Sequence, residues 1–407
     1  MKPDEPPVAP RAVPAGTGAG VVRADALAMP LRAASVDLIV TSPPYFALRS
    51  YQDAGGHYAG QLGSEPTPGD FLAALWAVMD ECWRVLAPSG SAWVNLGDKY
   101  AGSIGARNGL NSSKLKSSDD YVRKLASTAT ALPEFETDVP DKSLMGLPWR
   151  FALGLICPDQ YRPGGGPTWT LRAEVIWSKP NGLPESVADR VRRSHEQWFH
   201  LTKGPRYFAA VDEVREESVC TGTHRQDGTA HHARAMALGE GHHRYDVWYT
   251  NPLGRLPGSV WSVPSAPLVV PEDLGVDHFA AFPPEWPRRI IDGWAPAGIC
   301  TACGEGRRPA VDKRYLSAGF DLGERDAPVN TITGYRCGCE VPDAPTRPAV
   351  VLDPFGGTGT VAMMARAMGR YGVHVDLSAD YLRLACWRIF ESDHAVRCLA
   401  KAEEVTA

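Results

Sequence analysis

The stretch AVVLDPFGGTGT at residues 349–360 decides the fold class of this chain. Its apolar first half predicts a buried strand, and the glycines that follow predict a tight turn into a helix at 360–368. Glycines at such a turn let the backbone approach a ligand that a Cβ atom would keep away. The stretch is not a phosphate loop, because the Gly-Lys-Ser/Thr ending is missing, and it departs from the usual dinucleotide fingerprint.

An acidic residue closes the unit that starts with this turn. The apolar run at 371–376 predicts a second strand, which ends at Asp376. A carboxylate at that position can accept hydrogen bonds from both hydroxyls of a ribose. A glycine-rich turn alone serves packing in many doubly wound domains. Strand, turn, helix, strand and acid in series are much stronger evidence for a nucleoside ligand.

Strands and helices alternate along the rest of the chain. Apolar runs predict further strands at 21–25, 36–40, 91–96, 170–177 and 197–202. Apolar residues at helical spacing predict helices at 70–86, 147–156, 285–293 and 379–390. This alternation predicts an α/β fold whose three layers surround a doubly wound, mainly parallel sheet.

Caps and loops complete this outline. The helix at 70–86 has Asp70 as its predicted N-cap, and Pro88-Ser89-Gly90 is the predicted stop that follows it. The polar residues 101–142 are predicted to form a long mobile loop, and 215–265 an irregular insertion.

A second motif, Thr41-Ser42-Pro43-Pro44-Tyr45, follows the apolar run at 36–40. The prolines cannot extend a central strand, so they predict a rigid loop with outward-pointing carbonyls. Ser42 adds a hydroxyl that can accept from an amino group, and Tyr45 or Phe46 offers a flat face for a base taken out of its stack. Such a loop could accept both hydrogens of an exocyclic amine and aim the nitrogen lone pair at an electrophilic methyl group. Taken alone, Ser-Pro-Pro is better interpreted as a plain turn that ends a strand.

The composition is that of an ordinary globular protein. Hydrophobic residues make up 44% and charged residues 22% of the 407 residues, and no apolar run is long enough to span a bilayer. Residues 1–20 are rich in Pro, Ala and Gly and lack the apolar core of a signal peptide, so we expect a disordered leader and a cytoplasmic protein. In that reducing compartment the 9 cysteines are not expected to form disulfides.

The charge pattern leaves two interpretations open. A formal net charge of −5 argues against a protein that coats nucleic acid non-specifically. Residues 172–206 are nevertheless rich in Arg and Lys, which could form a positive stripe for phosphate contacts. A solvated surface of mixed charge explains the same residues as well.

Two cysteine pairs form a third motif. Cys300-Thr301-Ala302-Cys303 and Cys337-Gly338-Cys339 can supply four thiolates for a tetrahedral zinc ion. Because Cys-x-Cys is less usual than Cys-x-x-Cys, four free thiols are the alternative interpretation. The pairs lie in what we interpret as an insertion at 298–342.

The Ser-Pro-Pro-Tyr and Asp-Pro-Phe-Gly-Gly-Thr-Gly-Thr motifs together resemble the amino-methyltransferases of DNA, the cytosine-N4 and adenine-N6 family. The likeness runs from about Val21 to Arg388, and the stretches at 95–102, 172–180 and 195–198 also look like this family. The resemblance implies a Rossmann-like methyltransferase sheet, S-adenosylmethionine as methyl donor and double-stranded DNA with a flipped base as substrate. Because the catalytic motif precedes the cofactor motif, it implies the circularly permuted order called the β class.

The resemblance also implies a role for individual residues. Ser42, Pro43, Pro44 and Tyr45 match the catalytic motif. Asp376 matches the ribose-binding acid, and Asp25 matches the acid near the adenine of the cofactor. The loop around the methionine end of the cofactor is matched by Asp353, Pro354, Phe355, Gly356, Gly357, Thr358 and Gly359.

A further segment, at 277–283, resembles the part of these enzymes that closes over the cofactor. It contributes His278 and Phe282 to the implied cofactor site. A simple turn before the helix at 285–293 is the competing interpretation.

The first residue of the catalytic motif indicates which base is modified. Family members with Ser there mostly modify cytosine N4, and those with Asp or Asn mostly modify adenine N6, so Ser42 favours cytosine and leaves adenine as the alternative. A cytosine-C5 enzyme would need a Pro-Cys nucleophile, and this sequence has no Pro-Cys dipeptide. A non-catalytic DNA-binding module is a further alternative, against which the intact motifs argue.

The resemblance divides the chain into segments with different tasks. After the leader at 1–20, residues 21–180 are the expected catalytic half. Residues 181–265 hold the last strands and the target-recognition region, and 266–395 form the cofactor-binding half. For such a site-specific enzyme a restriction endonuclease is the candidate partner, and both a monomer and a homodimer fit the sequence.

Overall fold

The computed structural model describes most of the chain, with gaps. The described residues are 18–48, 52–53, 56–57, 61–102, 136–182, 185, 187–216, 253–266, 268–271, 274, 281–314, 329–341 and 343–391. Most of the predicted mobile loop and of the irregular insertion, at 103–135 and 217–252, lie outside these residues. Of the helices that the described ranges contain, none combines the length and apolar character that crossing a membrane requires.

The described residues form fourteen strands, six α-helices, a 3-10 helix at Val211–Val214 and a π-helical turn at Trp387–Glu391. The strands are β1 Ala19–Arg23, β2 Val36–Thr41, β3 Gln52–Asp53, β4 Gly56–His57, β5 Leu86–Leu96, β6 Thr170–Ser178, β7 His195–Thr202, β8 Val260–Ser262, β9 Ile299–Cys300, β10 Arg308–Arg314, β11 Val329–Arg336, β12 Thr346–Arg347, β13 Val350–Asp353 and β14 Tyr371–Asp376. The helices are α1 Pro68–Val85, α2 Leu147–Ile156, α3 Pro158–Tyr161, α4 Glu285–Trp294, α5 Thr360–Ala367 and α6 Ala379–Cys386.

Eight of these strands form the central sheet, in the order β1-β14-β13-β2-β5-β7-β6-β8. The pairings from β1 to β5 are parallel, as is the pairing of β6 with β8. Only β7 among the eight is reversed, because it pairs antiparallel with both β5 and β6. The predicted α/β fold with a mainly parallel sheet is therefore confirmed as a mixed sheet with one reversed strand.

Two hydrophobic layers cover the faces of this sheet, as the alternation of side chains along a strand requires. In β2, Ile39 packs into one layer with α1 and α2, whereas Leu38 and Val40 pack into the other with α4 and α5. The second layer is rich in tryptophan, and Trp198 stacks on Trp286 with ring centroids 4.9 Å apart. The three-layer arrangement follows from this two-sided burial.

The structure corrects several predicted element boundaries. Helix α1 begins at Pro68, and its N-cap is Thr67, whose hydroxyl accepts from the N–H of Asp70, rather than Asp70 itself. The predicted stop at Pro88-Ser89-Gly90 lies inside β5, because β5 begins as soon as α1 ends. Strand β1 ends at Arg23, so Asp25 follows the strand instead of closing it.

The C-terminal helix and two strand elements also differ from the prediction. Helix α6 gives way to a π-helical turn at Trp387–Glu391. The three-residue strand β8 lies within the segment predicted to be irregular, and the β10–β11 hairpin lies within the predicted cysteine-containing insertion. Both elements are short or polar, so they carry little hydrophobic periodicity.

The order of the strands creates a crevice between β2 and β13. These two strands are neighbours, but the chain runs from β2 toward β5 on one side and from β13 toward β14 on the other. Ligands of doubly wound sheets bind at such a switch point, beyond the carboxyl ends of the strands. The motifs at 41–45 and 353–360 both begin at this edge of the crevice.

One buried hydrogen bond ties the ends of these two strands together. The hydroxyl of Thr41, the last residue of β2, donates to Oδ1 of Asp353, the last residue of β13, over 2.7 Å. The same oxygen accepts from the backbone N–H of Phe355. Burial raises the pKa of the Asp353 carboxyl to about 7, against the opposing effect of these two hydrogen bonds.

This carboxyl predicts a pH dependence of folding stability. Since the pKa of Asp353 is higher in the folded than in the unfolded chain, the folded protein retains a proton between about pH 4 and about pH 7 that the unfolded chain loses. The contribution of Asp353 to the free energy of unfolding should therefore fall as the pH rises through that window. Urea denaturation at a series of pH values should show a flatter profile for Asp353→Asn than for the wild type.

A matched variant controls for the general effect of removing a carboxylate. Asp189 is exposed, so Asp189→Asn should keep the wild-type pH profile. If the profiles of Asp353→Asn and the wild type run parallel, the raised pKa of Asp353 is wrong.

Candidate active site

The Ser-Pro-Pro-Tyr loop leaves β2 directly beside the glycine-rich loop. Thr41 and Pro43 from the first loop line a small apolar cavity together with Pro354 and Phe355 from the second. Pro43 and Pro354 are buried, whereas Ser42 and Tyr45 are half-buried. The structure therefore brings the predicted catalytic and cofactor motifs into contact across the switch point.

Asn95, near the end of β5, organises the polar side chains of the first loop. The hydroxyl of Ser42 donates to Oδ1 of Asn95 over 3.2 Å, and the hydroxyl of Tyr45 lies 2.8 Å from the same oxygen. The amide orientation is fixed because Nδ2 of Asn95 donates to the carbonyl of Gln197. With its proton directed at Asn95, the Ser42 oxygen keeps its lone pairs for a donor on a substrate.

Tyr45 is held from a second side by β7. Its hydroxyl lies 2.9 Å from Oε2 of Glu196, whose other oxygen forms an ion pair with Lys179. The ring lies so close to Gly97 that a Cβ atom there would come within 2.8 Å of it. The position of this ring therefore depends on residues from three strand ends.

The sequence motifs did not single out Asn95 or Glu196, although each lies in a stretch that resembles the family. The signal that could have found them is their place in the fold. Asn95 and Glu196 lie at the ends of neighbouring strands that meet at the edge where the Ser-Pro-Pro-Tyr loop begins.

Lys99 and Asp98 fix the backbone around the first loop. The ammonium group of Lys99 donates to the carbonyl of Ala47, and burial lowers the pKa of Lys99 to about 8. The carboxylate of Asp98 accepts from the N–H groups of Gly146 and Leu147 at the start of α2, where a negative charge is favoured.

The glycine-rich loop is shaped by Asp376 and by its own glycines. Oδ2 of Asp376 accepts from the N–H of Gly357 over 2.9 Å, and Oδ1 accepts from the N–H of Ser378. Gly359 has a φ angle of 77°, which lies in the left-handed region that glycine tolerates without strain. Asp376 thus lies at the end of β14, as the sequence predicted, and contacts the glycine-rich loop.

A buried arginine supports the glycine-rich loop from the protein interior. Nη1 of Arg388 lies 2.7 Å from the hydroxyl oxygen of Thr358 and 2.7 Å from that of Thr360. Thr358, Thr360 and Arg388 are all buried. The side chain of Thr358 therefore faces the protein interior, and Arg388 is a supporting residue that the sequence motifs did not reveal.

The remaining predicted cofactor residues occupy different positions. Asp25 is exposed just beyond β1, next to the end of β14, and accepts from the N–H of Leu27. Phe282 packs edge-to-face on Trp198 with ring centroids 5.7 Å apart. His278 lies outside the described residues.

The basic residues at 172–206 do not form one stripe. Lys179 and Arg193 lie toward the edge of the sheet that carries the two loops, and a guanidinium nitrogen of Arg193 contacts the carbonyl of Asp98. Arg172 and Lys203 lie near the opposite edge, where Lys203 donates to the carbonyl of Leu86. Only the first group is placed to help a ligand at the loops.

The four predicted metal ligands come together away from this site. The sulfur atoms of Cys300, Cys303, Cys337 and Cys339 all lie within 4.8 Å of one another. They lie near the start of β13, whereas the two loops lie at its end. The cysteine cluster is therefore separate from the candidate active site.

Comparison with known proteins identifies the family. A family model described as DNA methylase, N6_N4_Mtase, matches residues 36–298, which is more than half of the chain. The type II methyltransferase M.XycI of Xanthomonas campestris pv. cyanopsidis is 30% identical, over 91% of this chain and 88% of its own. The type II methyltransferase M.Cfr9I of Citrobacter freundii is 29% identical, over 95% of this chain and 92% of its own.

A solved structure shares the fold. The PvuII DNA methyltransferase (cytosine-N4-specific) matches with a TM-score of 0.50 and 14% identity, over 96% of this chain and 93% of that chain. The chain therefore belongs to the N6/N4 DNA methylase family, whose members are S-adenosylmethionine-dependent DNA methyltransferases.

Proposed function

We propose that this enzyme transfers a methyl group from S-adenosylmethionine to the exocyclic N4 of cytosine in double-stranded DNA. The observation that carries the proposal is the Ser42 hydroxyl, whose proton is directed at Asn95 beside the glycine-rich loop. An acceptor oxygen at that point suits an amine that gains a methyl group and releases one of its two protons. Adenine-N6 methylation on the same scaffold is the alternative, since both amines present similar hydrogens.

The residues around the glycine-rich loop fit the proposed methyl donor. Asp376 and Asp25 place two carboxylates beyond adjacent strands, where a nucleoside can present ribose hydroxyls and an adenine amine. Phe355, Gly356 and Gly357 border the other side of the switch point, toward the methionine end. The sulfonium group of S-adenosylmethionine supplies an electrophilic methyl group.

Ser42 and Tyr45 position the acceptor base in this proposal. The Ser42 oxygen and a loop carbonyl accept the two hydrogens of the cytosine amine, so that its nitrogen lone pair points at the methyl group. The half-buried ring of Tyr45 provides a stacking surface for a base flipped out of the duplex. Asn95 and Glu196 hold these two side chains in place before the base arrives.

The surroundings suit a direct transfer. As the methyl group moves, the positive charge of the sulfonium disperses, so a site of carbonyl acceptors and apolar walls stabilises the reaction. Pro43 and Phe355, which line a small apolar cavity together with core residues of α1, supply apolar walls of this kind. A zinc ion at the four cysteines would be structural, because four protein ligands leave no open position for chemistry.

The biological setting is part of the proposal. Both relatives are described as type II methyltransferases, and we infer that this enzyme likewise modifies specific sites in cytoplasmic DNA alongside a restriction endonuclease. We assign target recognition to residues 181–265, catalysis to 21–180 and cofactor binding to 266–395. Arg193 and its neighbours at the loop edge would contact DNA phosphates.

Substitution of Tyr45 tests the assignment of the catalytic loop. Loss of a stacked base costs about 1–3 kcal/mol, so Tyr45→Ala should lower the transfer of labelled methyl groups to DNA by roughly five- to a hundredfold. Calorimetric titration should show nearly unchanged affinity for S-adenosylmethionine. Tyr45→Phe is the matched variant, because it retains the ring and loses only the contacts of the hydroxyl with Asn95 and Glu196.

Tyr45→Phe should therefore retain more activity than Tyr45→Ala. An equal loss of cofactor affinity in Tyr45→Ala would refute the placement of Tyr45 in the base site.

Substitution of Asp376 tests the cofactor site. A hydrogen bond to a charged group is worth about 1.5–3 kcal/mol, so Asp376→Ala should weaken the binding of S-adenosylmethionine roughly ten- to a hundredfold in calorimetric titration. Asp159→Ala, at an exposed carboxylate of α3, is the control and should bind the cofactor normally. Unchanged affinity in Asp376→Ala would remove this residue from the cofactor site.

A further inference from the structure

The four clustered cysteines come from two separate turns. Cys300 ends β9 and Cys303 follows in the next turn, whereas Cys337 and Cys339 follow β11. Strand β9 pairs antiparallel with β12, so the start and end of the insertion lie side by side. The β10–β11 hairpin extends from this base, and the cysteines therefore lie where the two ends of the insertion meet.

The spacing of the sulfur atoms matches a metal site rather than a disulfide. Zn–S bonds of about 2.3 Å in a tetrahedron place neighbouring sulfurs about 3.8 Å apart. Sγ of Cys339 lies 3.9 Å from that of Cys300 and 3.3 Å from that of Cys337. All four side chains are free thiols, and the sulfurs of a disulfide would be about 2.05 Å apart.

The turn after β9 fixes the first cysteine pair. The N–H groups of Cys303 and Ala302 donate to Sγ of Cys300. The turn is closed by a hydrogen bond from the N–H of Gly304 to the carbonyl of Cys300. The backbone therefore holds the sulfur atoms of Cys300 and Cys303 close together, as two ligands of one ion require.

In the part of the insertion that the structure describes, the hairpin exposes several polar side chains. In the hairpin, Arg308, Asp312, Thr331, Thr333 and Arg336 are all exposed. A small segment without a core is commonly stabilised by a metal or by disulfides. The four clustered cysteines supply ligands for such a metal at the point where the hairpin begins.

The position of the cluster assigns it a structural role. At the end of the insertion, the guanidinium of Arg347 donates a hydrogen bond to the carboxylate of Asp37 at the start of β2. On the same side of the sheet, the backbone N–H of Phe208 donates to the carbonyl of Ser89. These residues lie at the amino ends of the parallel strands, whereas Ser42 and the glycine-rich loop lie at their carboxyl ends. A metal at the cluster is therefore separated from the active site by the length of the strands.

We propose that one zinc ion is bound by Cys300, Cys303, Cys337 and Cys339. The ion holds together the two ends of the inserted hairpin, on the side of the sheet where the amino ends of the parallel strands lie. All four ligands are thiolates from this chain, so the ion has no open coordination position and no part in methyl transfer. This proposal is independent of the base that the enzyme modifies.

Metal analysis of the full-length protein tests the proposal. After purification without chelator, elemental analysis should find close to one zinc per chain in the wild type. Cys157→Ser, which removes a thiol outside the cluster, should retain that zinc, and Cys339→Ser should lose most of it. Less than about a tenth of one zinc per wild-type chain, or one iron in its place, would overturn the proposal.

A second measurement covers the case in which Cys339→Ser fails to fold. Titration of the wild-type protein with an organomercurial reagent should release one zinc, detected with a chromogenic chelator, once the four cluster thiols have reacted in addition to the accessible thiols elsewhere in the chain. Protein refolded with Co²⁺ should show the absorption of tetrahedral thiolate-bound cobalt. Release of zinc without the reaction of these thiols, or a Co²⁺ spectrum without thiolate bands, would show that the cysteines are not the ligands.

Discussion

The hydrogen bond between Thr41 and Asp353 is the contact on which the rest of the site depends. It joins the last residues of β2 and β13, and the Ser-Pro-Pro-Tyr loop and the glycine-rich loop begin directly after those residues. These two loops therefore cannot move apart without breaking a buried polar contact. Since the order of strands places a switch point at the same pair, topology and this one side-chain contact act together.

Other strands then add the groups that orient the loop side chains. Oδ1 of Asn95 in β5 lies within hydrogen-bond distance of the hydroxyls of Ser42 and Tyr45. Glu196 in β7 contacts the Tyr45 hydroxyl from the other side. The reversed direction of β7 is what brings its first residues to the edge where β5 ends. Arg388 performs the corresponding task for the glycine-rich loop.

The sequence predicted the sheet well because its strands are apolar runs, and it predicted both loops because glycine and proline restrict the backbone in recognisable ways. It could not predict Asn95, Glu196 or Arg388, because their roles arise from contacts between residues distant in the chain. The short edge strand β8 was missed since three residues carry no period. The resemblance places Asp353 and Thr358 in the loop around the cofactor, and in the structure their side chains make inward hydrogen bonds that hold the loops.

The central claim concerns the atom that receives the methyl group. The most direct test is to incubate the purified enzyme with unmethylated DNA and S-adenosylmethionine, digest the DNA to nucleosides and analyse them by mass spectrometry. Ser42 stands at the first position of the catalytic motif, where the resembling family members with Ser mostly modify cytosine, so we expect N4-methyldeoxycytidine as the product. N6-methyldeoxyadenosine as the product would contradict the assignment of the base, and the absence of any methylated nucleoside would contradict the proposed reaction.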